Sequence, residues 1–170
     1  IAVGRGLSAT LAVSDSVYAE ASGADFGLIA DATAFGFELS GGSLALGLGP
    51  LANAGADEVL VRYTNAATPV TAGTTLTVGA VAYTFAESLA PGTAAFVAEG
   101  FRAEVAGFVS LAGDLGFARV GEELIAVGSG LTATLAVSDS VYAEASGADF
   151  GLIADATAFG FELSGGSLAL

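Results

Sequence analysis

Cysteine, histidine, methionine, tryptophan and lysine are all absent from this 170-residue chain. Their absence removes thiolate and imidazole metal ligands, disulfides, redox-active thiols and Schiff-base lysine together. Basic charge is scarce as well: four arginines (Arg5, Arg62, Arg102 and Arg119) stand against 18 carboxylates, for a net charge of −14. So acidic a surface repels nucleic acid and anionic membranes, and neither is an expected partner. Apolar runs are interrupted by Gly, Ser or Asp before the roughly 20 residues a membrane helix needs, so no membrane span is expected. No phosphate-binding GxGxxG or GxxxxGK loop and no Asn-x-Ser/Thr sequon occurs.

What is present is repetition. Residues 1–46 return as residues 125–170, and of these 46 positions only two differ, Arg5 against Ser129 and Ser8 against Thr132. The repeat unit is therefore 124 residues (125 minus 1), with residues 1–124 forming one full unit and 125–170 the start of the next. A catalytic domain has no reason to recur at near-identity without a linker, whereas an array that extends one geometry over distance does. The chain starts and stops inside strand-like runs, from which we expect a longer parent protein. Charged residues make up 13% of the sequence, against about 25% in ordinary soluble domains. Two readings fit this shortage: a biased base composition, or a unit whose surface is largely covered by the next repeat or a neighbouring chain.

Bulky and small residues alternate with the period of a strand. Phe35, Phe37 and Leu39 fall on one face, with Ala34, Gly36 and Glu38 on the other; Leu44, Leu46 and Leu48 likewise oppose Ala45, Gly47 and Gly49. Burial of the bulky stripe predicts a core of Phe26, Phe35, Phe37, Leu44, Leu46, Val61, Phe85, Phe108, Phe117 and Ile125. Phe37→Ala is then expected to cost about 3–5 kcal/mol, and a change at Glu38 far less. The thin face either meets solvent or lets a second layer approach closer than the usual 10 Å or so.

Turn signals recur at Ser14-Asp15-Ser16, Ser22-Gly23-Ala24-Asp25, Ser40-Gly41-Gly42-Ser43, Gly79-Ala80, Pro91-Gly92, Gly113-Asp114, Gly121-Glu122 and Gly128-Ser129-Gly130. Connections this short close antiparallel hairpins. Residues 49–57 and 65–73 read as loops able to move the chain between sheets. Residues 93–105 read as two strands meeting near Gly100, with a helix as the alternative. The expected fold is all-β: a tandem-repeat antiparallel meander forming an elongated sandwich or tube-like fibre, with a β-solenoid as the alternative.

Residues 61–65 (VRYTN), 74–85 (TTLTVGAVAYTF), 96–117 (FVAEGFRAEVAGFVSLAGDLGF) and 123–129 (ELIAVGS) resemble the degenerate β repeats of giant, hyper-repetitive bacterial surface and adhesin-like proteins. The resemblance implies an extracellular, extended, non-enzymatic protein that polymerises. The chain departs from the calcium-binding RTX subgroup in lacking GGxGxD, so no residue inherits that ladder.

Carboxylates gather at turns, at Asp15, Asp25, Asp31, Asp57 and Asp114, with copies at Asp139, Asp149 and Asp155. Calcium takes six to eight oxygens from such loops, which makes Asp15, Asp25, Asp31 and Asp114 candidate metal ligands assembled between strands. The plainer reading is that Asp bonds nearby backbone N–H groups in turns. Glu20, Glu38, Glu99 and Glu104 lie in strands, where a carboxylate pair suits glycoside chemistry, but such glutamates mostly sit on a solvated face. No catalytic residue and no cofactor other than calcium is expected. Arg62, Arg102 and Arg119 are expected to pair with carboxylates across strands. The expected role is the shaft of an extracellular fibre or cell-surface appendage, whose partners are neighbouring repeats and copies of itself. The alternatives are the stalk of a large adhesin projecting a distal binding domain, and an acidic, cation-binding surface-layer or matrix protein.

Overall fold

The computed structural model describes residues 1–138 and 141–170 and contains strands and turns, with no helix among the described residues. In chain order the strands are β1 (Ala2–Ser14), β2 (Val17–Ala30), β3 (Phe35–Ser40), β4 (Ser43–Leu48), β5 (Ala52–Ala56), β6 (Glu58–Thr64), β7 (Thr75–Val78), β8 (Val81–Thr84), β9 (Thr93–Val105), β10 (Val109–Val120), β11 (Glu123–Ser138), β12 (Val141–Ala154) and β13 (Phe159–Ala169). All but β7 and β8 belong to one 11-stranded sheet, and those two form a separate hairpin. Each pairing within the sheet is antiparallel. The meander expected from the short turns is therefore the fold, and the solenoid alternative, which needs parallel neighbours, does not apply.

Several short strands are halves of longer ones. β3 pairs with residues 25–30 of β2 and β4 with residues 17–22, so the two lie end to end beside one neighbour. β5 and β6 share β9 in the same way. One unit thus occupies six strand positions, namely β1, β2, β3 with β4, β5 with β6, β9 and β10, before β11 opens the second copy. Ser40-Gly41-Gly42-Ser43 is consequently a break along a strand and not a reversal. The same correction holds for Ser22 to Asp25 inside β2, Gly113-Asp114 inside β10 and Gly128 to Gly130 inside β11. Glycine at a left-handed φ serves a β-bulge as well as a turn, and register shifts mark these places. Gly6, Gly100 and Gly130 have φ of 58°, 59° and 58° at such bulges. They lie on β1, β9 and β11.

Residues 93–105, expected as two strands, form the single strand β9, bent at Gly100 where its partner changes from β6 to β5. Of the expected loop 49–57, residues 52–56 are strand β5. The other expected loop, 65–73, does leave the sheet, and leads to the β7–β8 hairpin, which closes on Gly79-Ala80.

That hairpin is the second layer, and it lies on the thin face. Leu76, Tyr83, Phe85 and Leu89 are buried there, against Val3, Ile29 and Val70. A Cβ on Gly27 would stand 2.4 Å from the Tyr83 ring, and one on Gly36 would stand 3.0 Å from Val70. The small residues are thus small because the hairpin rests on them. The bulky face has only a minor cluster, in which Leu39 and Phe101 cover Ala56, Val59 and Ala98. Of the expected core, Phe85 is fully buried, while Phe26, Phe37, Val61 and Ile125 are half-buried. Phe35, Leu44, Leu46, Phe108 and Phe117 are exposed, because no second layer covers their side of the sheet.

The two copies share one backbone pattern. Ala2↔Leu28, Val3↔Gly27 and Leu7↔Ala24 recur as Ala126↔Leu152, Val127↔Gly151 and Leu131↔Ala148. Burial differs: Phe35 is 39% exposed and Phe159 78%. Phe35 stacks on Tyr63 of β6 at 5.1 Å, whereas β13 is the outermost strand of its side of the sheet.

Candidate functional site

The most concentrated polar chemistry lies between hairpin and sheet. Strand register sets Glu38 of β3 opposite Arg62 of β6, and both point to the thin face. Arg62 Nε donates to Glu38 Oε2 at 2.8 Å, Tyr83 O–H donates to Glu38 Oε1 at 2.8 Å, and the Ala86 N–H donates to the same oxygen at 3.2 Å. Since the tyrosine's one proton goes to Glu38, the Ser40 hydroxyl is the donor in its 2.9 Å contact with Tyr83. A second carboxylate, Glu87, holds Arg62 from the solvent side at 2.5 Å. Arg5 adds a bond from Nε to the Ala82 carbonyl. The Tyr83 ring meets Phe85 edge-on at 5.6 Å.

Glu38 has no exposed surface. The expectation that it sits on a solvated face is therefore corrected: the hairpin buries it, and three donors compensate for the burial. Glu20, Glu99 and Glu104 are exposed as expected. Burial pushes the Tyr83 hydroxyl up to about 12, the Ser40 bond opposing this and the Glu38 bond adding to it. For Arg62, burial works against the charge, but its bonds to Glu87 and Glu38 outweigh that and raise its pKa above the ordinary value. With no buried side-chain polar atom left without a partner among the described residues, this cluster is built to hold the hairpin down.

Five of the aspartates fill two structural roles. Asp31 accepts from the backbone of Thr33 and Ala34 and from the Thr33 hydroxyl, and Asp155 repeats this with Thr157 and Ala158. Those backbone bonds hold both carboxyls below the usual range. Asp25, Asp114 and Asp149 each cap a bulge on the adjacent strand, accepting the N–H of Gly6, Gly100 and Gly130 at 2.8 Å in all three cases. Asp15 lies in the β1–β2 turn, and Asp139 falls outside the described residues. The four candidate calcium ligands are thus spread over the sheet, and no group of three or more acidic side chains able to hold a metal occurs among the described residues. Of the arginines, Arg102 pairs with Asp57 at 2.5 Å on the surface, and Arg119 bonds the Gly121 carbonyl.

Sequence reasoning missed both the Glu38 clamp and the bulge caps. The signal for the clamp was a lone carboxylate among Gly27, Gly36 and Ala34, where bare backbone marks close approach by another element. The signal for the caps was Asp before an apolar residue in ADF (24–26) and DLG (114–116), each beside a strand carrying Gly followed by Leu or Phe.

No protein-family model, no curated protein and no solved structure matches this chain. Among the described residues, no helix is long and apolar enough to cross a membrane.

Proposed function

We propose that this chain is a structural, non-catalytic repeat that builds a continuous β-ribbon, the shaft of an extracellular fibre or cell-surface appendage. The observation that carries this reading is the boundary between units. Residue 124 is followed by 125 inside strand β11, and β11 is laddered to β10 of the first unit over residues 123–135 and to β12 of the second over residues 124–138. Successive units are thereby parts of one sheet, where a string of independent beads would need a linker and two closed edges. The acidic surface and the lack of oxidisable side chains support an exposed, long-lived material. A stalk that projects a distal binding domain uses the same ribbon without lateral assembly.

Electron microscopy of a protein carrying several units tests the reading. Six strand positions at about 4.8 Å predict an axial period of about 29 Å per unit. Separate globules joined by thin linkers, or a period unrelated to the strand spacing, would overturn it.

A further inference from the structure

The bulky face of one complete unit is bare, and the carboxylates avoid it. Strand register sets Phe26, Leu39, Val61, Phe96 and Phe117 in one row across β2, β3, β6, β9 and β10. Phe35 and Tyr63 stack beside that row. Leu44 lies opposite Ala56, which packs with Leu39, so β4 turns Leu44, Leu46 and Leu48 to the same side. Phe35, Tyr63, Phe96, Phe117 and the three leucines are each 36–45% exposed. Their strands have a paired neighbour on either side, so a further repeat extends the sheet sideways and leaves this face uncovered. Alternation puts Glu20, Glu58, Glu99 and Glu104 on the opposite face, with Glu38 and Arg62. Among the charged strand residues described in the unit, Arg119 alone shares the bulky side, opposite Ala94 at the end of β10, where it bonds the Gly121 carbonyl.

We propose that the bulky face is where a second molecule of this chain docks, bulky face to bulky face, so that two sheets form a sandwich with both hairpin layers outermost. Charge selects this occupant. A partner bearing charged groups would leave them unpaired over a surface that offers almost none of its own, whereas two copies meeting this way keep their carboxylates pointing outward and apart. Shape agrees, since Leu46 stands between Ala19 and Ala54 and Leu44 between Ala21 and Ala56. Each leucine ridge is flanked by alanine furrows, which a two-fold related copy fills at the usual sheet spacing of about 10 Å. Area suffices as well. At about 200 Å² for a large bare side chain, the seven exposed ones leave roughly 550 Å² open per copy. Two copies then cover about 1,100 Å², above the roughly 1,000 Å² that a specific interface needs. The inference concerns one face of one unit and goes beyond the ribbon reading: its failure leaves the axial period standing, and a missing period leaves the paired faces standing.

The test uses the full chain, whose lack of cysteine lets one introduced thiol report one place. Sedimentation should show a concentration-dependent dimer. Alkylation of Leu46→Cys and of Phe117→Cys should slow about tenfold or more as the dimer forms, because the centre of an interface packs as densely as a protein interior. Ser110→Cys, exposed on the thin face opposite Glu104, should react at one rate throughout. Leu46→Lys and Phe117→Lys lower the net negative charge yet bury an unpaired cation, and each should weaken the dimer about 100-fold or more, against about threefold or less for Ser110→Lys. The thiol rates decide the matter without requiring a lysine variant to fold. Association that leaves both face thiols reactive, as pairing through strand edges would, overturns the proposal. So does a chain that stays monomeric to high micromolar concentration, whatever else then binds the face.

Discussion

Glu38 and Glu162 are the same residue of the repeat in two environments, which makes them an internal control for the value of the clamp. Glu38→Ala removes the acceptor of three bonds from a fully buried site. Breaking one partner out of a buried ion pair costs about 3–5 kcal/mol. Arg62 keeps Glu87 and Tyr83 keeps Ser40, which places the expected loss near the lower end, while the Ala86 N–H left without an acceptor adds about 1 kcal/mol. A net loss of about 3–4 kcal/mol follows, with Phe37→Ala, a half-buried ring, costing roughly 2. The readout is native-state hydrogen exchange at the Phe85 and Leu89 amides, which bond the Thr74 and Val70 carbonyls inside the hairpin and exchange once a detached hairpin, marginal on its own, frays. Exchange there should accelerate by about 100-fold or more in Glu38→Ala and by no more than about threefold in Glu162→Ala. An acceleration below tenfold for Glu38→Ala, or equal effects at the two glutamates, refutes the clamp.

Gly27→Val should detach the hairpin and expose Tyr83 to solvent, as read by tyrosine fluorescence quenching, whereas Gly151→Val should leave the isolated chain's stability unchanged. In alkaline titration followed by tyrosinate absorbance, one of the four tyrosines should ionise late. With its folded pKa raised to about 12 from an ordinary 10, the Tyr83 contribution is intact below pH 10 and lost as pH rises from 10 through 12. Tyr83→Phe should abolish that late step. Asp114→Ala should speed exchange of the Gly100 amide, which it caps, and a chelator should leave both that rate and the melting temperature unaltered; a chelator-dependent shift would return calcium to the acidic turns.

Strand identity was readable because alternation survives any tertiary context, and so β1, β2, β9 and β11 follow the pattern of their side chains. Facing was not. Phe35 and Leu44 look like core by size, yet the sheet has a covering layer only on its other side, and the chain places that layer there through residues 65–73, a path with no periodic signal. Glu38 was misjudged for the same reason, because its burial depends on a hairpin some 45 residues away in sequence (38 against 83). The glycine clusters were ambiguous in a physical sense. A left-handed φ is required at Gly79 or Gly121 to reverse the chain and at Gly6 or Gly130 to bulge it, and the residue alone does not say which. The two copies of the repeated segment share their strand register, though not their burial.

The orientation of the strands has a mechanical consequence. Because they run across the direction in which units follow one another, a tensile load along the ribbon proposed above would not shear whole ladders at once. It opens them in sequence, hairpin by hairpin, at low force. About 29 Å of folded unit then releases up to about 420 Å of chain, 124 residues at about 3.4 Å each, and each released strand re-pairs when the load falls. The hairpin locked by Glu38 ties β3 to β6 through Arg62 and rests on β1 and β2, so in this unit it would resist such opening at one place.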